Sequence, residues 1–202
     1  MPEKRLKIAV FASGSGSNFQ SIVDQVREGQ LSADIRLLVC DKPQAKVIER
    51  ARSANVPVFL FRPKEYPSRE AYEQEILEKL RENEVELVVL AGYMRLLTNT
   101  LVGAYEGRMI NIHPSLLPSF PGTDGIEQAL KYGVKVTGVT VHFVDTGMDT
   151  GPVIAQQAVE VRDDDDEESL AARIHAAEHE LYPKVIQWIG EGRVKLNGRK
   201  VT

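Results

Sequence analysis

The sequence predicts an α/β fold, a doubly wound and mostly parallel sheet with an antiparallel addition near the C-terminus. Three observations carry this. Short continuous apolar runs alternate with helical stretches through the first half of the chain, which is the pattern of βαβ units. The runs lack polar alternation, as strands buried on both faces do. Two late strands, Val136–Val144 and Val153–Val161, are joined by a modest loop, which suits antiparallel pairing.

Taken in order, Leu6–Ala12 is the first apolar strand, and SGSGSN, Ser13 to Asn18, follows it. A helical stretch then runs from Asn18 to about Arg27, closed by Gly29. Ala33–Cys40 is a second strand. Lys42-Pro43 opens a helix that reaches about Ala54, and Val56–Phe61 is a third strand. Ser68, with Glu70 and Ala71, begins a helix in which Ala71, Ile76, Leu77 and Leu80 recur at helical spacing. Leu87–Ala91 is a fourth strand ending in Gly92, and a short helix is expected around Thr98–Tyr105. Met109–His113 is the fifth strand. Asp124–Tyr132 is a helix with Gly133 as its stop. Glu167–Gly190 is a long helix with Pro183 as a place to bend, and Asn197-Gly198 signals a terminal hairpin. No repeat, linker or low-complexity segment interrupts the chain, so residues 1–202 are read as a single domain.

Composition narrows the class. The chain has 202 residues, 43% hydrophobic, with a net charge of −4 and a pI near 5.7. That supports a sizeable core. No Lys/Arg cluster marks a nucleic-acid groove. The single cysteine, Cys40, lies in an apolar run and reads as a buried thiol. The apolar stretch Ile8–Ala12 is shorter than a secretory h-region of roughly 7–15 residues, and nothing approaches the ~20 apolar residues of a membrane helix. The expectation is a soluble cytoplasmic protein without a membrane or nucleic-acid partner.

The chemistry concentrates in RMINIHPSLLPSFPG, Arg108 to Gly122. Asn111 and His113 are two apart on a strand and so face the same way. Pro114 cannot continue the ladder, which leaves the pair at the carboxyl end of a strand, where open α/β sheets bind ligands. A neutral amide donor beside an imidazole suits an oxygen that becomes negative during a reaction.

Other motifs are weaker. Ser13–Asn18 sits between strand and helix, a place that cradles anions. It begins as the dinucleotide fingerprint with Gly14 and Gly16, but Phe19 occupies the third glycine position. A phosphate monoester therefore ranks above NAD, although Asp41 could imitate a ribose-binding acid. The plain alternative is a flexible turn. No ATP-binding P-loop and no nucleophile elbow is present. His175 and His179 have zinc-helix spacing but no third ligand, so they read as solvent-facing or locally paired, and no metal is expected. The acidic run Asp163–Glu168 reads as a solvated turn and helix start. His142 reads as a structural histidine with its hydrogen bonds satisfied. The loop Asp145–Pro152 reads as a turn, and becomes a site only if a carboxylate in it returns to His113.

SGSGSN, AGYMRLL with NIHPSLLPSFPG, and VTGVTVHFVDTGMDTGPVIAQ together resemble the phosphoribosylglycinamide formyltransferase family, the folate-dependent formyltransferases of purine synthesis. The likeness covers nearly the whole chain. It implies a Rossmann-like formyltransferase fold and transfer of a formyl group from 10-formyltetrahydrofolate, as co-substrate, to the primary amine of glycinamide ribonucleotide. It implies neither metal nor ATP, and a homodimer is compatible with it. On matching positions it implies Asn111, His113 and Asp149 as catalytic residues. Gly16, Ser17, Asn18 and Glu178 are implied for the ribonucleotide. Arg69, Met94, Arg95, Leu96 and Leu97, with Asn111, are implied for the folate. A cis peptide is implied at Leu117-Pro118. Where some members carry histidines after the Pro-Gly, this chain has Thr123-Asp124-Gly125-Ile126. The rival readings are a formyltetrahydrofolate hydrolase, a methionyl-tRNA formyltransferase, a non-catalytic binder of phosphorylated metabolites and an NAD-dependent oxidoreductase.

Overall fold

Burial of Ile8, Ala9, Val10 and Phe11 to zero exposure makes the first strand, β1 (Leu6–Phe11), the middle of the N-terminal architecture. Burying each of Ile8, Val10 and Phe11 contributes roughly 1.5–3 kcal/mol. A computed structural model describes residues 4–202. The elements after β1 are α1 (Ser17–Arg27), β2 (Ala33–Cys40), α2 (Lys46–Ser53), β3 (Val58–Leu60) and α3 (Arg69–Glu82). Then come β4 (Leu87–Leu90), α4 (Asn99–Ala104), β5 (Met109–His113), α5 (Gly125–Tyr132), β6 (Val136–Phe143), β7 (Val153–Glu160), α6 (Glu167–Gly190), β8 (Leu196–Asn197) and β9 (Lys200–Val201). The sheet order is β3-β2-β1-β4-β5-β6-β7, and β8-β9 is a separate pair. The predicted doubly wound sheet with an antiparallel addition is the fold observed.

The chain divides into two compact units, one up to Ile110 and one from Asn111 to Thr202. In the first, β1 pairs in parallel with β2 and β4, and β2 with β3. Ser68 caps α3 by accepting from the Ala71 N–H at 3.2 Å. Tyr72, Ile76, Leu77 and Leu80 bury the inner face of that helix. Two expectations shift here. Helix α2 starts at Lys46 rather than at Lys42-Pro43. The residue before a proline is disfavoured in the helical region, and Lys42–Ala45 instead forms a turn closed by Ala45 N–H to Lys42 O. The third strand shrinks to Val58–Leu60, and Pro63–Glu65 forms a 3₁₀ turn after it.

In the second unit, β6 and β7 pair antiparallel from Val136↔Glu160 to His142↔Val153. Asp166 and Ser169 form a reciprocal capping box at the start of α6, so the acidic run is the helix start expected. Helix α6 continues through Pro183, with Leu170, Ile174, Ala177, Leu181, Val185 and Ile186 on its buried side. The hairpin at Asn197-Gly198 forms, with Gly198 at φ 61°.

Gly138 leaves no room for a side chain between the two late strands, since an added Cβ would stand 2.1 Å from the Gln157 carbonyl oxygen and 2.7 Å from Leu116 Cδ2. Backbone cannot yield there as a flexible side chain can. Gly138→Ala is expected to cost about 1–3 kcal/mol of stability, read as a lower urea midpoint at unchanged m-value. An unchanged midpoint would show that the strands separate freely at this point.

Candidate active site

Strand β5 ends at His113, directly before Pro114, and presents Asn111 and His113 to one side. His113 is buried, whereas Asn111 is half-buried and its side-chain amide has no intramolecular partner among the described residues. His113 Nε2 lies 2.7 Å from the Phe120 carbonyl oxygen. A carbonyl only accepts, so this nitrogen carries the hydrogen. On the other side of the ring, Nδ1 is 3.6 Å from Asp149 Oδ2. The loop between β6 and β7 therefore does return a carboxylate to His113.

The loop returns for local reasons. Asp145 Oδ1 accepts from Gly147 N–H at 3.0 Å and Thr150 Oγ1 at 2.6 Å, which closes the turn. Gly151 sits so near β6 that an added Cβ would be 1.7 Å from the Phe143 carbonyl oxygen. Asp149 itself takes φ 54°, a left-handed conformation that aspartate tolerates better than most residues. Its Oδ2 also accepts from Gly122 N–H at 2.7 Å. That bond ties the loop to the proline-rich segment after β5. Thr140 anchors the same segment, donating to Ser115 O at 2.7 Å and accepting from Leu117 N–H at 3.1 Å. The Leu117-Pro118 peptide is cis.

One expectation needs correcting. His142 donates from Nδ1 to the Phe143 carbonyl at 2.8 Å. Its Nε2 has no hydrogen-bond partner among the described residues and stands 3.8 Å from Asp149 Oδ1. Asp149 thus lies between two imidazoles, and His142 is only half satisfied. Burial pushes the His142 pKa below the ordinary imidazole value. Also in this unit, Glu178 is buried on α6, one turn before the fully buried Tyr182. Burial first, and then the Glu178 charge, pushes the Tyr182 phenol well up. His175 is exposed and His179 half-buried.

The first unit carries the glycine loop and the segment after β4. Gly16 is the N-cap of α1, at φ 75° with no side-chain cap. The start of α1 therefore offers main-chain donors and the positive end of the helix dipole. A Cβ at Gly16 would lie 2.5 Å from Val47 Cγ2. The loop is fixed on α2 through Val47 N–H to Gly14 O and Arg50 Nε to Ser15 O at 2.8 Å. Arg69 is exposed at the first position of α3 with no hydrogen bond or ion pair among the described residues. A cation there opposes the helix dipole, so helix stability does not account for it. Met94 and Leu96 are 63% and 56% exposed. Asp41 does not wait for a ribose, because it pairs with Ser13 and Arg95.

Sequence reasoning missed Phe120 and Gly122, which act through main-chain atoms and leave no side-chain signal. It also missed Glu73, whose signal was readable: a carboxylate on the buried face of α3 beside Ile76 and Leu77. Among the described residues no group of three or more His, Cys, Asp or Glu is placed to hold a metal ion. No helix among them is long and apolar enough to cross a membrane.

The formyl transferase family matches residues 6–186 of the chain. The chain is 59% identical over 181 residues to a phosphoribosylglycinamide formyltransferase of Bacillus subtilis (strain 168), covering 90% of this chain and 93% of that one. The chain belongs to the phosphoribosylglycinamide formyltransferases. A glycinamide ribonucleotide transformylase of this family, from Symbiobacterium toebii, superposes with a TM-score of 0.95 at 46% identity, over 98% of this chain and 93% of the other. The chain is also 42% identical to part of a trifunctional purine biosynthetic protein of Drosophila melanogaster, matching over 95% of its own length but only 14% of that longer protein.

The lowered His142 pKa has a signed consequence. The unfolded chain binds a proton at this imidazole more readily than the folded chain does. Folding stability from this group is therefore full above the ordinary imidazole value of about 6.5 and declines as pH falls through it toward the lowered one. Burial lowers the His179 pKa in the same direction, so the comparison must be made with a variant. His142→Gln is expected to flatten the fall in urea midpoint between about pH 7 and about pH 5. An equal fall in both proteins would mean that His142 protonates without cost.

Proposed function

We propose that the chain transfers the formyl group of 10-formyltetrahydrofolate to the primary amine of glycinamide ribonucleotide in purine synthesis. The observation that carries this is the return of Asp149 to His113 beside Asn111. The identity with the Bacillus subtilis enzyme supports the choice of substrates. The amine attacks the formyl carbon, the C–N bond forms, and the carbonyl electrons move onto oxygen. The Asn111 amide donates to that oxygen, and the Nε2 hydrogen of His113 transfers its bond from the Phe120 carbonyl to the same oxygen. Charge stabilisation by such placed donors is usually the largest catalytic contribution. Both His113 nitrogens face acceptors, an arrangement that a charged imidazolium fills at both ends. Asp149 orients the ring and takes part in moving the amine proton to the folate nitrogen, which leaves as the second C–N bond breaks.

The remaining assignments follow the same reading. The main chain of Gly16, Ser17 and Asn18 holds the ribonucleotide phosphate, supported by the uncapped helix start. Glu178 contacts the ribonucleotide. Arg69 and the main chain of Met94–Leu97 hold the folate, supported by a cation set against the helix dipole and by exposed apolar side chains. The family match across residues 6–186 supports treating the two units as one catalytic domain. We place the enzyme in the cytoplasm with no metal or ATP requirement.

A formyl-transfer assay offering glycinamide ribonucleotide, water and methionyl-tRNA as acceptors separates this reading from its rivals. Turnover is expected with the ribonucleotide alone, and preferred transfer to water would make the protein a hydrolase. Asn111→Ala is expected to lower kcat by on the order of 10²–10³. A loss under twofold would remove Asn111 from the oxyanion. Gly16→Val is expected to raise KM for the ribonucleotide well above any change in KM for the folate, with equal increases counting against the phosphate assignment.

A further inference from the structure

The segment Gly92–Leu97 follows a strand, carries two exposed apolar side chains and contains no regular structure. Such a loop is expected to move. This one is fixed at both ends by buried carboxylates. At its start, Ser13 N–H donates to Gly92 O at 3.0 Å, and Met94 N–H donates to Ser13 Oγ at 3.0 Å. Ser13 Oγ in turn donates to Asp41 Oδ1 at 2.6 Å, while Asp41 Oδ2 accepts from Arg95 Nε at 2.8 Å. The Asp41 side chain has no exposure, whereas that of Arg95 is 41% exposed. At the far end, Glu73, itself fully buried, accepts from Thr98 N–H at 2.9 Å, Thr98 Oγ1 at 3.0 Å and Leu101 N–H at 3.3 Å. Between the clamps, Tyr93 packs edge-on against Phe11 with centroids 5.3 Å apart.

Neither acid serves only as a helix cap, although Glu73 also holds Leu101 N–H in the first turn of α4. Helix α4 already has a cap, since Thr98 Oγ1 accepts from Thr100 N–H at 3.2 Å. Asp41 reaches across from β2 to a loop it does not adjoin in sequence. Burying a carboxylate is costly unless its oxygens are filled, and here they are filled by Ser13 and Arg95 at Asp41 and by Thr98 and Leu101 at Glu73. Glu73 therefore sets the position of the Thr98 main chain directly, and Asp41 sets that of Met94 through Ser13.

We propose that Asp41 and Glu73 are positioning residues for the formyl-folate, holding the main chain of Met94–Leu97 in the conformation that receives it. Ser13 relays the hold from Asp41 to Met94. This rests on the reading that Met94–Leu97 is the folate segment. The acids touch no substrate; they remove the freedom that binding would otherwise have to remove, which is how preorganisation raises affinity. Arg95 is part of the same device, its guanidinium turned onto Asp41.

Steady-state kinetics on Asp41→Asn, Glu73→Gln and Ser13→Ala test the proposal, together with amide hydrogen exchange at Met94–Leu97 with and without a non-reactive folate analogue. In the wild type the analogue is expected to slow exchange at these amides. In each variant KM for formyl-folate is expected to rise about tenfold, the order of one charge-assisted hydrogen bond. KM for the ribonucleotide and kcat are expected to stay within about twofold. Ser13→Ala leaves the Asp41–Arg95 pair intact and serves if either acid variant does not fold. Slowed exchange in the wild type with unchanged folate KM in the variants overturns the positioning role and leaves the folate segment standing. Equal rises in both KM values also overturn it, since they show a general structural role. No slowing in the wild type overturns the folate assignment and the positioning role with it.

Discussion

The carboxylate of Asp149 is the joint on which the C-terminal unit's candidate site hangs. One of its oxygens faces the His113 ring and holds Gly122 N–H, and the other faces His142. Through Gly122 it fixes the segment whose Phe120 carbonyl meets the far side of the His113 ring. Three backbone stretches thus depend on one side chain in an uncommon conformation. That conformation persists because Gly151 presses against Phe143 and Asp145 closes the turn, so the loop has nowhere else to go. A sparsely populated conformation persists where the surrounding structure over-determines it.

The N-terminal unit uses the same physical device for a different purpose. Asp41 and Glu73 are taken out of water and filled by main-chain and side-chain donors from elsewhere in the sequence. A buried acid with filled oxygens specifies geometry more sharply than apolar packing does, because hydrogen bonds are directional. The glycine loop is held in another way, by carbonyl acceptance and close contact. Gly14 and Ser15 give their carbonyls to α2, and Gly16 leaves just enough room for Val47.

Much of the fold was legible because the parallel strands are apolar on both faces. Ala33–Cys40 and Met109–His113 begin and end where the residue pattern places them. The helix start at Ser68 was legible from its side-chain cap, and that at Lys46 was not, because Lys42–Ala45 closes a turn of its own before the helix. Within the site, the spacing of Asn111 and His113 was readable from strand geometry. The approach of Asp149 was not, since it depends on a turn and a close backbone contact far from His113 in sequence. The same limit explains Asp41, which looked like an acid awaiting a sugar and is occupied by Ser13 and Arg95. It also explains His142, whose second nitrogen could not be placed without knowing where Asp149 goes.

The shortness of β3 has a consequence for the behaviour of the protein at high concentration. Outer strands offer unpaired amides and carbonyls to other chains, and long flat ones seed aggregates. At one edge of the sheet stands a strand of three residues, Val58–Leu60. Pro57 precedes it, and Arg62 and Pro63 follow close behind. Prolines remove donors and the charge repels a second copy, so a neighbouring molecule finds too short a template to extend. At the other end of the strand order β7 is longer, runs from half-buried Val153, Ile154 and Ala155 to exposed Gln156, and ends at exposed Glu160. The β3 margin of the sheet is therefore built to resist intermolecular β-pairing.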